Sequence, residues 1–289
     1  CTMKKHKICK ILLVILAIFL CVAFYELLGI CVAYKKQPEV SNTTKKETKN
    51  GSWNECSENT ERAVIIEKNP EALLQRVRLI KNAKKEIILS TFAFQSDESG
   101  KLILGALHDA ADRGVHIRLL VDGMESWIDM EGNPYFYGLS SHENVEIKLY
   151  NKANPLKPWK MMGRMHDKYL IADGKRYILG GRNTYNYFLG DFPGHKNYDR
   201  DVLVVCDEPE KENSVNQLLE YFETIWEQED SGYFHDNKKL ANRKSVKNAV
   251  LELQNGYQKY FEENKERICD TDYTDETFET EKIALVSNP

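Results

Sequence analysis

An α/β fold is predicted for residues 61–230, a β-sheet covered by helices on both faces, with an apolar helix ahead of it. Three observations predict it. Strand-like patterns recur four times before residue 150 with helical patterns between them, and this alternation builds a sheet flanked by helices. Asp173-Gly174 then joins two more short strand patterns, a strong two-residue hairpin signal. Finally, Ile11 to Tyr34 is almost entirely apolar and long enough to cross a bilayer as a helix.

The chain has 289 residues, 42% of them hydrophobic, which suffices for one sizeable core or two small ones. Residues 1–10 are a basic tail with Lys4, Lys5, Lys7 and Lys10. These lysines favour a cytoplasmic N-terminus, so everything beyond the 11–34 span is expected outside the cytoplasm as part of a single-pass membrane protein. Glu26, the one charge inside the span, lies toward its outer end, where the insertion penalty is smaller. A cleaved signal peptide is the competing reading, because the continuous apolar core Ile11 to Tyr25 is short and Cys31-Val32-Ala33 could serve as a cleavage site. Residues 35–60, dominated by Ser, Thr, Asn and Lys, read as a polar stalk. The cysteines lack metal-ligand spacing, so neither zinc nor a disulfide framework is indicated.

The folded part follows in order. Ala63 to Glu67 is a strand, and Asn69-Pro70 opens a helix whose Leu73, Leu74, Val77 and Ile80 repeat at helical spacing. Glu86 to Phe94 is a near-continuous apolar strand. A helix over about Gly100 to Arg113, closed by Gly114, puts Ile103, Leu104, Leu107, Ala110 and Ala111 on one face. Val115, Ile117, Leu119 and Val121 alternate as a strand, Asn133-Pro134 opens a short helix, and Val145, Ile147 and Leu149 alternate again. Pro155 to Met162 is apolar and basic together; it reads as a loop resting on a bilayer with Trp159 at the interface, or as one packed back over the sheet. Beyond Cys206 the chain is helical and charged, with 231–281 read as a charged helical linker and Ile283 to Val286 as the start of a further strand.

The chemistry is concentrated in the hairpin. His166 and Lys168 stand two residues apart in a run that alternates like a strand, so both point to one face of the sheet. The returning strand, Arg176 to Leu179, leads to Gly180 and Gly181, where a backbone can approach closely, and Asn183 adds an amide. The group suits phosphodiester chemistry. A neutral imidazole can attack phosphorus and hold it covalently, while Lys168 and Asn183 face the non-bridging oxygens where negative charge must be met. An isolated H-x-K is more often surface decoration, and Asp-Gly only a turn. The full pattern H-x-K-x4-D-x6-G-G-x-N is far more restrictive.

That pattern resembles the signature of the phospholipase D superfamily, and the stretch MHDKYLIADGKRYILGGRNTYNYF looks most like its cardiolipin synthase-like membrane branch. The resemblance implies a mixed β-sheet flanked by helices on both faces. It implies His166, Lys168 and Asp173 as the catalytic signature, with His166 either the phosphorus nucleophile or the acid for the leaving alcohol. Lys168 and Asn183 match phosphate-binding positions. Asp173 is explained by the hairpin and is expected to be structural. Gly181 stands where many family members carry Ser, so only its backbone N–H is expected to face the phosphate. The family also places a carboxylate on the strand after the motif to orient the histidine; here the first candidate is Asp201 and the second Asp199. Neither metal nor cofactor is implied.

Residues 1–34 carry four lysines and Glu26, a charge of +3, so the whole-chain charge of −4 leaves −7 on the remainder. This disfavours nucleic acid as a partner, since phosphate neutralisation supplies most nonspecific nucleic-acid affinity. The expected partners are a phospholipid substrate, the membrane and a second phospholipase D-like half. The last follows from chemistry that needs two histidines, one to attack and one to protonate the leaving group, in a sequence with a single H-x-K. Residues 282–289 are accordingly read as the opening of that second half, with a homodimer partner as the alternative source. A nuclease of the same superfamily and a non-catalytic membrane-tethered phosphate-binding module are the competing functions.

Overall fold

The computed structural model describes residues 2–35, 42, 45, 46, 61–206, 213–235, 238–280 and 283–286. The stalk expected at 35–60 lies almost wholly outside the described residues, as do 282 and 287–289. Helix α1, Thr2–Lys35, contains a 30-residue candidate span, His6–Lys35, with a mean hydropathy of 2.9 in its most apolar window. None of that window is buried against protein.

The sheet has nine strands among the described residues: β1 Glu61–Ile66, β2 Glu86–Thr91, β3 His116–Asp122, β4 Val145–Tyr150, β5 Lys168–Ala172, β6 Arg176–Gly180, β7 Asp201–Val205, β8 Ser231–Tyr233 and β9 Phe278–Thr280. Their order is β8-β4-β3-β2-β5-β6-β7-β1-β9. β2, β3 and β4 pair in parallel and every other neighbour is antiparallel, so the sheet is mixed, with the β5–β6 hairpin at its centre. Helices α2 Asn69–Asn82 and α3 Glu98–Asp112 form the crossovers between β1, β2 and β3; α4 Gly123–Asp129 and α5 Pro134–Ser140 lie between β3 and β4. After β7 come α6 Ser214–Trp226, α7 Lys244–Glu263 and α8 Lys265–Cys269.

Two-residue alternation sorts the strand side chains onto two cores. Ile87 and Leu89 of β2, Leu170 and Ala172 of β5, and Leu203 and Val205 of β7 join α2, α3, α5 and α7 in the larger cluster. Ile88, Tyr169, Ile171 and Val204 point the other way, onto Val215, Leu218, Phe222 and Trp226 of α6. Helices thus cover both faces, as the sequence predicts. Asn133 caps α5 through Tyr135 N, at the Asn-Pro pair that marks its start.

Two boundaries need correction. The 231–281 segment is not a linker, because Val246, Ala249, Leu253, Tyr257 and Phe261 form the buried stripe of α7 against α3 and α5, and β8 and β9 complete the two edges of the sheet. Residues 283–286 form no strand. They lie instead on α6, where Leu285 N donates to Gln217 Oε1 at 2.8 Å and Ile283 and Leu285 pack against the smaller core.

Candidate active site

The carboxyl ends of β2, β3 and β6 and the starts of β5 and β7 meet at one edge of the sheet, and the motif lies there. Register places Thr91 opposite Lys168 and Gly180 opposite Asp201. Arg164, His166 and Lys168 gather around the ring of Phe92, the residue that follows β2. The imidazole packs edge-on at 4.7 Å between centroids; the Arg164 guanidinium and the Lys168 ammonium lie 5.1 and 5.4 Å from the same centroid. Asp167 and Tyr169 turn to the other face, where the Tyr221 hydroxyl donates to Asp167 at 2.8 Å. His166, Lys168, Tyr169, Gly180, Tyr221 and Leu285 line a pocket of ≈290 Å³.

The imidazole is exposed and the lysine buried. Partial desolvation by its neighbours, and then the adjacent Lys168 charge, hold the His166 pKa below its ordinary value, which favours the neutral ring. Burial also lowers the pKa of Lys168, while Asp167 and Asp199 oppose that shift. The ammonium donates to the His166 carbonyl at 2.6 Å, which ties side chain and motif backbone together and leaves it further donors. Asn183 is buried beside Phe92, its Oδ1 accepting from Ala93 N at 3.3 Å. The Phe92-Ala93 step therefore touches both the imidazole and the amide.

Asp122 is a site residue that the sequence reading did not single out. Wholly buried at the end of β3, its carboxylate accepts from Met124 N and Glu125 N at the start of α4, from Arg164 Nε and Nη2, and from Met165 N at 3.1 Å. It fixes the chain just ahead of His166. Two signals could have found these residues: R-x-H-x-K extends the alternation by one step, and Asp122-x-x-Glu125 is a helix-start pattern. Nothing in the sequence marks Phe92.

Three candidates behave differently from expectation. Asp201 does not serve His166: its Oδ2 is shared by Arg76 at 2.9 Å and Arg182 at 3.2 Å, all three side chains buried, so it belongs to an ion cluster beneath the site. Asp199 reaches closer to the chemistry, since its charge acts on Lys168, second to that of Asp167. Neither carboxylate hydrogen-bonds His166 among the described residues; the acids that act on the imidazole are Asp167 and Asp122. Gly181 does not keep its N–H for a phosphate, because that group donates to the Arg200 carbonyl at 3.3 Å. A Cβ at Gly181 would stand 2.0 Å from Asp199 Oδ2, so the seat of the Asp199 carboxylate requires glycine there.

Asp173 lies at the opposite end of β5, roughly 16 Å from Lys168 at the strand rise per residue. Its backbone adopts φ 56°, and its carboxylate accepts from Lys84 N, Lys85 N and Glu86 N at 2.7 to 3.1 Å. The charge locks the hairpin turn to the entry of β2. Asp173→Asn keeps the turn, because Asn tolerates a positive φ, but weakens charge-assisted bonds; about 1–2 kcal/mol of stability should be lost with kcat unchanged. Thermal melts alongside turnover check this. A fall in kcat at an unchanged melting temperature would contradict the structural role.

Comparison with known proteins gives a consistent set of matches. The family described as "Cardiolipin synthase, PLD-like domain" matches residues 76–226, just over half of the chain. An uncharacterised protein of Helicobacter pylori strain J99 is 30% identical over 212 residues, covering 68% of this chain and 39% of its own length. Cardiolipin synthase C of Escherichia coli K12 is 29% identical over 171 residues, covering 54% of this chain and 34% of its own. Among solved structures, phosphatidylserine synthase of Haemophilus influenzae Rd KW20 superposes with a TM-score of 0.50 at 18% identity over 76% of this chain and 48% of that one, a likeness of fold. The chain thus matches well under half the length of these curated relatives.

Proposed function

Because the chain belongs to the phospholipase D-like domain family of cardiolipin synthases, we propose that it supplies one half of a phosphatidyltransferase or phospholipase site acting on membrane phospholipids. The observation that carries this reading is the pairing, in the lining of one pocket, of an imidazole kept toward its neutral form with the Lys168 ammonium. In the first step an unprotonated ring nitrogen of His166 gives its electron pair to phosphorus, and the P–O bond to the leaving alcohol breaks. That oxygen takes a proton from a second histidine. In the second step water or another alcohol attacks phosphorus, returns a proton to that histidine, and the P–N bond breaks. Lys168 and Asn183 hold the non-bridging oxygens in both steps.

The second histidine comes from another phospholipase D-like half, in a longer polypeptide or a second copy, since the sequence has one H-x-K. We place the domain outside the cytoplasm, with α1 retained in the membrane and the N-terminal lysines inside. A nuclease is the second reading; the −7 charge beyond residue 34 weighs against it, because a nonspecific nucleic-acid surface is basic. The deciding assay compares phosphatidyl release from labelled phosphatidylglycerol with cleavage of single-stranded DNA, using the assembled protein. Phosphatidyl release is expected. Cleavage of DNA alone would install the nuclease, and phosphate binding without turnover of either would leave a non-catalytic module.

A further inference from the structure

We propose that a chamber between the outer part of α1 and α4 takes up an acyl chain of a bilayer lipid, one to two helical turns from the candidate active site. The chamber has a volume of ≈570 Å³, within the range of small-molecule sites. Ile30 of α1 forms one wall; Met124 and Trp127 of α4, Leu149, Met161 and Phe234 form the others. Its position relative to a membrane follows from length. The 30-residue span is about 45 Å long against a hydrocarbon layer of about 30 Å, so turns at its end project into the headgroup region, and Ile30 lies close to that end.

The contact between α1 and the domain is built for close approach. A Cβ at Gly29 would stand 2.3 Å from Pro158 Cγ, so only glycine lets the helix backbone seat on the turn at Pro158–Lys160. The Tyr25 hydroxyl donates to the Leu156 carbonyl at 2.8 Å. This also settles how the Pro155 to Met162 loop lies: it packs on the outer part of α1 instead of folding back over the sheet. Trp127 of the chamber wall stands exposed, as do its neighbour Ile128 and, on the loop that meets α1, Leu156, Trp159 and Met162, with Leu156 at 78%. Exposed side chains of this kind are costly in water and favourable at a bilayer interface, where tryptophan is enriched.

The polar groups argue for a chain over a headgroup. Lys152 donates to the Tyr233 carbonyl, and Glu131 accepts from the Tyr137 hydroxyl and pairs with His235 at 3.1 Å. A phosphate here would meet the carboxylates of Glu26 and Glu131, whereas a hydrocarbon chain meets the apolar walls. The chamber is joined to the site through α4. Asp122, which caps that helix, also binds Arg164 and Met165 N ahead of His166, and Trp127 is five residues further along, about 7.5 Å of helix.

The test uses the full chain in lipid nanodiscs doped with phosphatidylcholine bearing a diazirine on one acyl chain. After illumination, adducts are expected on peptides covering 123–131 and 152–162 as well as on α1. Met124→Trp, which fills the chamber, and Met161→Asp, which makes it polar, should each reduce the first two several-fold and leave the α1 adducts ahead of Glu26 unchanged. Adducts on α1 alone would overturn the proposal, as would adducts insensitive to both substitutions. The readout does not depend on turnover, and His166→Ala should label like the parent. Labelling of the chamber in a protein that releases no phosphatidyl group would count against the proposed chemistry only; release without labelling would count against the chamber only.

Discussion

Turnover should fall by roughly 10⁴-fold or more in His166→Ala, with the melting temperature almost unmoved. The loss is large because the proposed reaction assigns the bond to phosphorus to His166, while Lys168 is tied to a carbonyl and Asn183 carries an amide. The stability effect is small because the imidazole is exposed and its ring contact is the edge-on packing against Phe92. The substitution removes little buried surface, which keeps its cost within about half a kcal/mol. Measuring phosphatidyl release in the assembled protein beside a thermal melt separates the two quantities. A variant retaining within about tenfold of parental activity would remove His166 from the reaction.

The pH profile then decides which role His166 plays. Its pKa lies below the ordinary 6.5, lowered by partial desolvation first and by Lys168 second. A nucleophile must be unprotonated, so the acid limb of kcat/KM should fall below pH 6.5, with activity sustained on the alkaline side of that limb. The opposite sense, activity rising as pH drops through the same region, would make His166 the acid that protonates the leaving alcohol.

Much of this architecture could be read from the chain because its signals are local. The β5–β6 hairpin is announced by alternation on both sides of Asp173-Gly174, and α2 and α3 by apolar residues at helical spacing. Features fixed by distant partners could not be read in that way. β8 and β9 are three residues each, too short to show a period, and exist because β4 and β1 offer open edges. The charged outer surface of α7 masked a regular stripe from Val246 to Phe261 that was present in the sequence. Asp199 and Asp201 both precede an apolar run, and only the fold reveals that Arg76 and Arg182, distant in sequence, converge on Asp201.

Asp201 and Asp199 should answer differently to truncation. Asp201→Ala should cost about 3–5 kcal/mol, because it strips the counter-charge from two buried guanidiniums at once. Burial already lowers the Arg182 pKa, and Asp201 is the first force opposing that shift. The remaining contacts of Arg182, to Asn69 Oδ1 and the carbonyls of Ile66 and Glu67, satisfy its donors but supply no full charge. The melting temperature should drop by about 10 °C for a domain of this size. Asp199→Ala should instead leave stability nearly unchanged, since its carboxylate is half-buried and its hydrogen bond is to the next backbone N–H, at Arg200. Its effect belongs in turnover, about tenfold, through the loss of the lesser of the two carboxylate charges that act on Lys168. Thermal melts and phosphatidyl release on both variants give a two-by-two comparison. If Asp201→Ala melts like the parent but loses turnover, Asp201 is the group that orients the site after all, and the ion cluster is incidental to stability.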